Sequence, residues 1–169
     1  LVIGGSQGAR GVNRLVTAAS TEWRGVSLLH VCGTTDEAEV RAAYAGAANE
    51  VQVHAFLEDM PQALGAATLA VSRAGASSIA ELAAARVPAL FIPLPDSADD
   101  HQRANAAAVV AAGGGKVLEQ HGTSSGELAH LVEELVQDDS ARAKMAAGMA
   151  AMDQPESAMQ IADRILRRL

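Results

Sequence analysis

The sequence predicts an α/β fold, a doubly wound six-stranded parallel sheet. Short apolar runs alternate with helical segments along the 169 residues. These runs seldom alternate polar with apolar residues, as expected of strands that are buried on both faces. Strand–helix alternation gives parallel strands joined by right-handed crossovers. A chain of this length can bury a substantial core, so residues 1–169 are expected to form one domain.

Three strands are predicted in the first part of the chain: Leu1 to Ile3, Val26 to Val31 and Val51 to Phe56. A glycine turn, Gly4 to Gly8, follows the first strand and leads into an amphipathic helix. Thr35 or Asp36 is expected to cap a second helix. His30 interrupts the second strand, and a lone histidine there is more often a structural side chain than a ligand.

Three further strands are predicted: Leu69 to Ser72, Ala89 to Ile92 and Lys116 to Glu119. Asp59 is the expected cap of the helix before the fourth strand, with Pro61 in its first turn. Thr123 is expected to cap a later helix, and Asp139 or Ser140 to open the next one. The last helix, after Pro155, completes the predicted order of elements.

Composition excludes several classes of function. The formal net charge of −7 argues against binding to nucleic acid, whose phosphates require a basic surface. A single cysteine, Cys32, excludes an internal disulfide. No apolar run has the length of a membrane helix. The chain opens inside a strand and without Met, so we expect a fragment of a longer protein.

No metal or other cofactor is expected from the motifs. The sequence has no His-x-x-x-His pair and no cysteine cluster. Asp96, Asp99 and Asp100 form an acidic loop that we interpret as solvated. The serines at the end of the fourth strand and after it have no evident His–Asp partner for nucleophilic catalysis.

The stretch from Val71 to Asn105 carries most of the functional signal. Its strand ends at Ser72, and a glycine loop leads to a helix that Ser77 or Ser78 is expected to open. A strand–glycine loop–helix unit directs backbone N–H groups and the positive helix end at the loop, which suits a phosphate. The spacing of Ser78 and Glu81 fits a capping box, which the spacing alone favours because S-x-x-E is common. The alternative is a carboxylate that binds a ribose diol beside the phosphate.

Several candidate residues follow the ends of predicted strands. Ligands of doubly wound sheets bind at the carboxyl ends of the strands. Five residues are therefore expected to converge on one edge of the sheet: Ser6, Leu57, Gly75, Ala76 and Gln102.

Three separated motifs give the chain a family resemblance. VSRAGASSIAELAAARVPALFIPLP, the following DDHQRANA, and GGSQGAR at Gly4 to Arg10 resemble the donor-binding half of the MurG family of bacterial N-acetylglucosaminyltransferases. The resemblance covers essentially the whole chain. Two departures are visible: Arg86 stands where a helix-ending glycine is usual, and the loop from Pro95 to Asp100 is acidic.

The resemblance implies a Rossmann-like domain, one half of a GT-B glycosyltransferase. Such an enzyme transfers N-acetylglucosamine from UDP-N-acetylglucosamine to lipid I, with inversion, in peptidoglycan synthesis for the cell wall. It acts as a peripheral protein on the cytoplasmic face of the membrane. The acceptor pocket, the catalytic base and any membrane contact would belong to an N-terminal half that this sequence lacks, so the fragment should bind donor and not catalyse.

The resemblance also implies the residues of the donor site. These are Ser6, Leu57, Ala76, Ser77, Ser78, Ile79, Ala80, Glu81 and Gln102, with Met60, Gly75, His101 and Asn105 as further candidates. Leu57 would lie at the uracil, Glu81 at the ribose and Gln102 at the sugar hydroxyls. Ser6 and the helix start would receive the diphosphate. No catalytic residue is expected in this part of the enzyme.

Two other functions stay open at the level of sequence. One is the UDP-sugar-binding half of a different GT-B enzyme, such as a natural-product glycosyltransferase or a UDP-N-acetylglucosamine epimerase. The HQxxNA and GGSQGAR motifs argue against it. The other is a stand-alone nucleotide-sugar binding module, which the sequence upstream of Leu1 would test.

Overall fold

A computed structural model describes residues 1–4, 9–95, 97 and 100–168 of the chain. Over these residues six strands form one sheet: β1 Val2–Ile3, β2 Leu28–Val31, β3 Val51–His54, β4 Ala70–Ser72, β5 Ala89–Phe91 and β6 Gly115–Val117. The helices are α1 Arg10–Ala19, α2 Glu37–Ala43, α3 Met60–Ala66, α4 Ala76–Ala84, α5 His101–Ala111, α6 Ser125–Gln137, α7 Asp139–Met152 and α8 Ser157–Leu166.

All neighbouring strands are parallel, in the order β3-β2-β1-β4-β5-β6. The order reverses between β1 and β4, where Val2 pairs with Val71 and Ile3 with Ser72. Connections that leave these two central strands must run to opposite faces of the sheet, which opens a crevice at the carboxyl ends of β1 and β4. This is the point of the sheet at which a ligand is expected.

Each face of the sheet has its own apolar core. Helices α1 and α6 pack on one face, where Trp23 is 1% exposed and donates from Nε1 to the carbonyl of Ala129 at 3.3 Å. Helices α3, α4, α5 and α7 contribute to the other core, which contains Leu82 and Phe91, both fully buried. Two covered faces explain why the strands are apolar runs rather than alternating ones.

Helix α8 is amphipathic and has no buried residue. Its exposed apolar side chains are Met159, Ile161, Ile165 and Leu166. In the part of the chain that the structure describes, no helix is both long enough and apolar enough to cross a membrane.

Two predicted helix starts are wrong by one or two residues, whereas the start of α7 at Asp139 agrees with its prediction. Helix α4 begins at Ala76, with Gly75 in extended geometry before it, and not at Ser77 or Ser78. The cap of α6 is Ser124 rather than Thr123. Asp138 caps α7, which then begins at Asp139. In each case the residue just before the helix provides the extended backbone or the side-chain acceptor that starts it.

The start of α3 agrees with its prediction, and the end of α4 at Ala84 shows how Arg86 takes the place of the usual glycine. The carboxylate of Asp59 accepts from the amide of Gln62 at 3.0 Å, with Pro61 in the first turn of α3. At the end of α4, Arg86 has the left-handed φ of 57° that a glycine usually adopts. Its amide donates to the carbonyl of Ala83, and that of Val87 to Leu82, which completes a Schellman motif around a residue with a Cβ.

Candidate functional site

The candidate site lies at the carboxyl edge of the sheet, on both sides of the crevice between β1 and β4. Gly4 leaves β1 at this edge, and its amide donates to the carbonyl of Val31 at 3.0 Å. The loop Arg73–Gly75 leaves β4 beside it and enters α4. The sequence therefore predicted correctly that the residues after β1 and β4 belong to one edge.

The N-terminal end of α4 is uncapped. The first intrahelical bond runs from the amide of Ile79 to the carbonyl of Gly75 at 3.0 Å, and no side chain caps the helix. The amides of Ala76, Ser77 and Ser78 precede that bond and have no intrahelical acceptor. Uncapped amides at the positive end of a helix are suited to bind an anion.

Glu81 does not form the capping box that its spacing allowed. Because α4 begins at Ala76, Glu81 is the sixth residue of the helix and cannot reach back to its first amide. Its side chain is exposed and has no hydrogen bond or ion pair within the described residues. Ser77 stands four residues earlier and is exposed on the same face of the helix, about 6 Å away along its axis. A ligand at the helix start could therefore extend along this face to Glu81.

Hydrogen bonds from Arg73 connect the carboxyl ends of β4, β5 and β6. Its guanidinium donates to the carbonyls of Ile92 and Pro93, both at 2.9 Å, and to Oε1 of Gln120 at 2.6 Å. Burial lowers the pKa of Arg73, and none of its bonds in the described residues goes to a carboxylate. The crevice is thus bordered by a cation whose charge is not neutralised by a direct partner.

Two amide side chains of α5 fix the loops around the crevice. Asn105 donates from Nδ2 to the carbonyl of Ala74 at 3.1 Å, which holds the loop in front of α4. Oε1 of Gln102 accepts from the amide of Leu94 at 3.0 Å, so Gln102 does not cap its own helix. That bond sets the orientation of the amide, and it leaves both N–H groups and one lone pair of Gln102 for a ligand.

The turn after β3 approaches α4 through the second core. Met60 packs against the cluster that contains Leu64, Ile79 and Leu82. Leu57 is partly buried and lines a cleft of about 460 Å³ between α3 and the edge of the sheet. In the sheet order, β3 is three places from β4, roughly 14 Å at the usual strand spacing. Strands β2 and β1 lie between β3 and β4, so it is the packing of Met60, and not pairing in the sheet, that connects the turn after β3 to α4.

The remaining residues singled out in the sequence either lie outside the described part of the chain or are exposed at its surface. Ser6, Asp96 and Asp99 lie outside the described residues. His101 is exposed at the first position of α5. Asp100 pairs with Arg103 at 3.3 Å. The described residues contain no group of three or more His, Cys, Asp or Glu side chains that could hold a metal ion.

The apolar cavities are distributed unevenly around the sheet. One of about 340 Å³ lies at the amino ends of β1, β2 and β4, lined by Trp23, Leu28 and Leu69. It is on the opposite edge from the candidate residues and offers few polar groups to orient a nucleotide. A cleft of about 290 Å³ instead runs beside α4 and α5, lined by Ala76, Ala80, Asn105, Asp153 and Ser157.

Sequence reasoning missed two features of the site. Arg73 stands in the loop before α4, and a lone arginine beside a glycine was the available signal. Asn13 is buried in α1 and bonds to Asp36, the N-cap residue of α2, at 2.9 Å. Thr35 or Asp36 was expected to cap this helix; Asp36 is at the N-cap position but makes no capping bond, because its carboxylate faces Asn13 and Arg10 instead. A polar residue on the apolar face of α1 was the signal there.

The family model for the glycosyltransferase family 28 C-terminal domain matches residues 1–164. The chain belongs to this family. The fold prediction is confirmed, including the doubly wound parallel sheet and its relation to GT-B glycosyltransferases. Family 28 membership also confirms the resemblance that the GGSQGAR and DDHQRANA motifs indicated.

Two relatives illustrate the match of this family 28 domain to curated proteins. A UDP-N-acetylglucosamine–N-acetylmuramyl-(pentapeptide) pyrophosphoryl-undecaprenol N-acetylglucosamine transferase of Xanthomonas campestris pv. campestris (strain B100) is 41% identical over 169 residues, 99% of this chain and 40% of that protein. The same-named protein of Verminephrobacter eiseniae is 44% identical over 138 residues, 80% of this chain and 38% of the relative. The chain thus spans about 40% of the length of the curated relatives it matches.

Solved structures agree with the family 28 assignment. MurG of Acinetobacter baumannii superposes with a TM-score of 0.91 at 34% identity, covering 98% of this chain and 48% of that one. The glycotransferase of kitacinnamycin has a TM-score of 0.74 at 21% identity, over 99% of this chain and 42% of its own. The second likeness concerns the fold alone.

Proposed function

We propose that the chain is the UDP-N-acetylglucosamine-binding domain of an inverting transferase that moves N-acetylglucosamine to lipid I. The observation that carries the proposal is the uncapped start of α4 at the crevice between β1 and β4. Its support from relatives is the 41% identity to the Xanthomonas transferase. In this proposal lipid I gains the sugar and becomes lipid II for peptidoglycan.

The diphosphate is assigned to the start of α4. The amides of Ala76, Ser77 and Ser78 lack intrahelical acceptors, and the helix dipole adds a positive potential there. The half-buried Arg73 guanidinium adds a cation at the same edge. Such local groups are needed, because the net charge of −7 repels an anionic donor at long range. Ser6, which follows β1 in the sequence and lies outside the described residues, is assigned to the diphosphate as well.

The nucleoside is assigned to the exposed side of α4. The carboxylate of Glu81 is free to accept from the two ribose hydroxyls, since it has no partner within the described residues. The turn at Leu57, which Met60 ties to the core under α4, is assigned to the uracil. Ala80 is exposed on the same stretch of helix, whereas the side chain of Ile79, a further candidate, is buried in the core. Backbone groups in such a turn can read the edge of a base by hydrogen bonds.

The sugar is assigned to Gln102. Its two N–H groups and remaining lone pair can bond to neighbouring hydroxyls, because its carbonyl is already oriented by Leu94. A site that hydrogen-bonds a hydroxyl rejects the wrong sugar by leaving buried polar groups unpaired. Gly75, His101 and Asn105 are further candidates around this position.

Mechanistically, this domain supplies binding and charge stabilisation. As the bond between sugar and diphosphate breaks, negative charge grows on the leaving UDP, and the α4 amides and Arg73 lie where they would stabilise it. The acceptor pocket and the base are assigned to a part of the enzyme outside these 169 residues. Contact with the cytoplasmic face of the membrane is assigned to that part as well, because a lipid acceptor requires an enzyme that binds peripherally at this face.

Calorimetric titration in EDTA tests the donor assignment. The chain should bind UDP and UDP-N-acetylglucosamine in the absence of metal, and it should bind UDP more tightly than ADP or NAD. Equal affinity for UDP and ADP, or a strict requirement for Mg²⁺, would contradict the proposal. UDP-glucose serves as the control for sugar recognition.

A further inference from the structure

Arg73 and Gln102 bind opposite edges of one peptide group, the one between Pro93 and Leu94. Nη1 of Arg73 donates to the carbonyl of Pro93 at 2.9 Å. The amide of Leu94 donates to Oε1 of Gln102 at 3.0 Å. This peptide group is planar and trans, so its carbonyl and its N–H point in opposite directions. Fixing the carbonyl therefore fixes the direction in which the N–H meets Gln102.

Arg73 can hold this peptide group because its guanidinium is itself held. The same Nη1 also donates to the carbonyl of Ile92 at 2.9 Å, so two successive carbonyls just past the end of β5 share one donor. Nη2 donates to Oε1 of Gln120, in the loop after β6, at 2.6 Å. A planar guanidinium with acceptors on both of these nitrogens cannot rotate without breaking a hydrogen bond. The bond to Gln120 thus sets the orientation in which Arg73 meets the peptide group.

Gln120 in turn lies against α1 at a position that has no side chain. A Cβ built on Gly11, the second residue of α1, would overlap Oε1 and Cδ of Gln120 and would lie 2.8 Å from its Nε2. Glycine at this position therefore makes room for the side-chain amide of Gln120. Glycine lowers helix stability relative to alanine, so its presence in the first turn of α1 fits a requirement for this contact.

A glutamine at position 120 holds the guanidinium without neutralising it. Oε1 of Gln120 accepts a hydrogen bond as a carboxylate oxygen would, but the side chain carries no net charge. A carboxylate in its place would form an ion pair with Arg73 and reduce the positive potential at the crevice. The position of the guanidinium is thus set by Gln120, while its charge stays available to the diphosphate.

We propose that Gln120 is a positioning residue for the N-acetylglucosamine group of the donor, acting through Arg73 on Gln102. It holds the peptide group that orients the Gln102 amide, and hence the N–H groups that meet the sugar hydroxyls. The inference rests on the proposed function, because it needs the sugar to be bound by Gln102. It goes beyond that function by assigning sugar selectivity to a residue of the loop after β6, which acts without touching the ligand.

Calorimetric titrations with UDP-N-acetylglucosamine and with UDP test the inference. Gln120→Ala should weaken UDP-N-acetylglucosamine roughly fivefold, the scale of one neutral hydrogen bond. UDP affinity should change by less than about twofold, because the charge of Arg73 and the nucleoside contacts are retained. In a Gln102→Ala background, Gln120→Ala should have almost no further effect, since the group through which it acts is gone. Equal loss for both ligands, no loss, or full additivity with Gln102→Ala would overturn the inference.

Gln120→Glu separates the position of Arg73 from its charge. The carboxylate keeps an acceptor for Nη2, so the ratio of the two dissociation constants should stay close to that of the unaltered chain. Both ligands should bind more weakly and in parallel, because the carboxylate neutralises the guanidinium. A ratio changed as much as in Gln120→Ala would contradict a role that depends on this hydrogen bond.

Gly11→Ala displaces the side chain of Gln120 without altering it. The added methyl group would occupy the place of the Gln120 amide, so the variant should lose affinity for UDP-N-acetylglucosamine as Gln120→Ala does. Gly126→Ala is the matched control, since Gly126 is the second residue of α6 and its Cβ would meet only Glu22, at 3.7 Å. Loss of sugar selectivity in both glycine variants, or in neither, would count against the inference.

The amide of Leu94 reports the same coupling in the absence of ligand. Gln102→Ala removes its acceptor and so gives the ¹H–¹⁵N resonance of the unbonded amide. Gln120→Ala should move the Leu94 resonance toward that position, while the amide of Ile79, bonded to Gly75 at 3.0 Å, stays in place. An unchanged Leu94 resonance would overturn the inference. If the unaltered chain binds neither ligand although Leu94 shifts as expected, the proposed function fails, and with it the role of Gln120 in sugar binding.

Discussion

Replacement of Glu81 by Gln separates a role in binding from a role in stability. The side chain is exposed and has no partner within the described residues, and Glu and Gln have similar helix propensities. The free energy of unfolding should therefore change by less than about 0.5 kcal/mol. In the proposed complex the carboxylate accepts from two ribose hydroxyls. Hydrogen bonds to a charged group contribute roughly 1.5–3 kcal/mol, and the exposure of Glu81 favours the lower end.

The assay combines calorimetry with a change in the ligand. UDP should bind Glu81→Gln about tenfold more weakly, the equivalent of roughly 1.4 kcal/mol. Replacing UDP by 2′-deoxy-UDP should weaken binding to the unaltered chain. It should weaken binding to the Glu81→Gln variant much less, because both changes remove the same hydrogen bond. Glu134→Gln, at an exposed position of α6, is the control. An equal loss for UDP and 2′-deoxy-UDP, or a large fall in melting temperature, would refute the assignment of Glu81 to the ribose.

Three further predictions concern the helix end, the buried histidine and the sugar. Arg86→Gly should raise the free energy of unfolding by roughly 0.5–1 kcal/mol in chemical denaturation, since it relieves a left-handed φ of 57°, and no gain would argue against strain there. Because the pKa of His30 falls to about 4, below its ordinary value of about 6.5, the unfolded chain binds a proton first as pH drops. The free energy of unfolding therefore falls by up to roughly 3 kcal/mol as the pH drops from about 6.5 to about 4. His30→Gln should reduce this pH dependence in denaturation at several pH values, whereas His130→Gln, at an exposed position, should not. Gln102→Ala should weaken UDP-N-acetylglucosamine and leave UDP nearly unchanged by calorimetry, with a smaller effect for His101→Ala; parallel loss of both ligands would remove Gln102 from the sugar site.

The sequence allowed prediction of the six strands and of the edge on which their following loops meet. Parallel strands that are buried on both faces are continuous apolar runs, so each can be recognised in the sequence without knowing which strands lie beside it. The order of the strands was not predicted, because it depends on which runs pair across the sheet. It is the reversal between β1 and β4 that locates the crevice.

The start of α4 shows why local patterns misled. Ser78 and Glu81 match a capping box, whereas Gly75 is the residue with extended backbone before the helix. The loop is held there by tertiary bonds, from Asn105 to the carbonyl of Ala74 and from Arg73 to that of Pro93. Asn105 and Pro93 lie 31 and 20 residues from their partners, so no window of local sequence contains these bonds.

The amides at the start of α4 provide the most direct test of the central claim. In a ¹H–¹⁵N titration of the chain without metal, the resonances of Ala76, Ser77 and Ser78 should shift strongly with UDP and much less with uridine, since only UDP brings a diphosphate to the uncapped helix end. UDP binding that leaves these three amides unchanged and shifts residues at the amino ends of the strands instead would contradict the account.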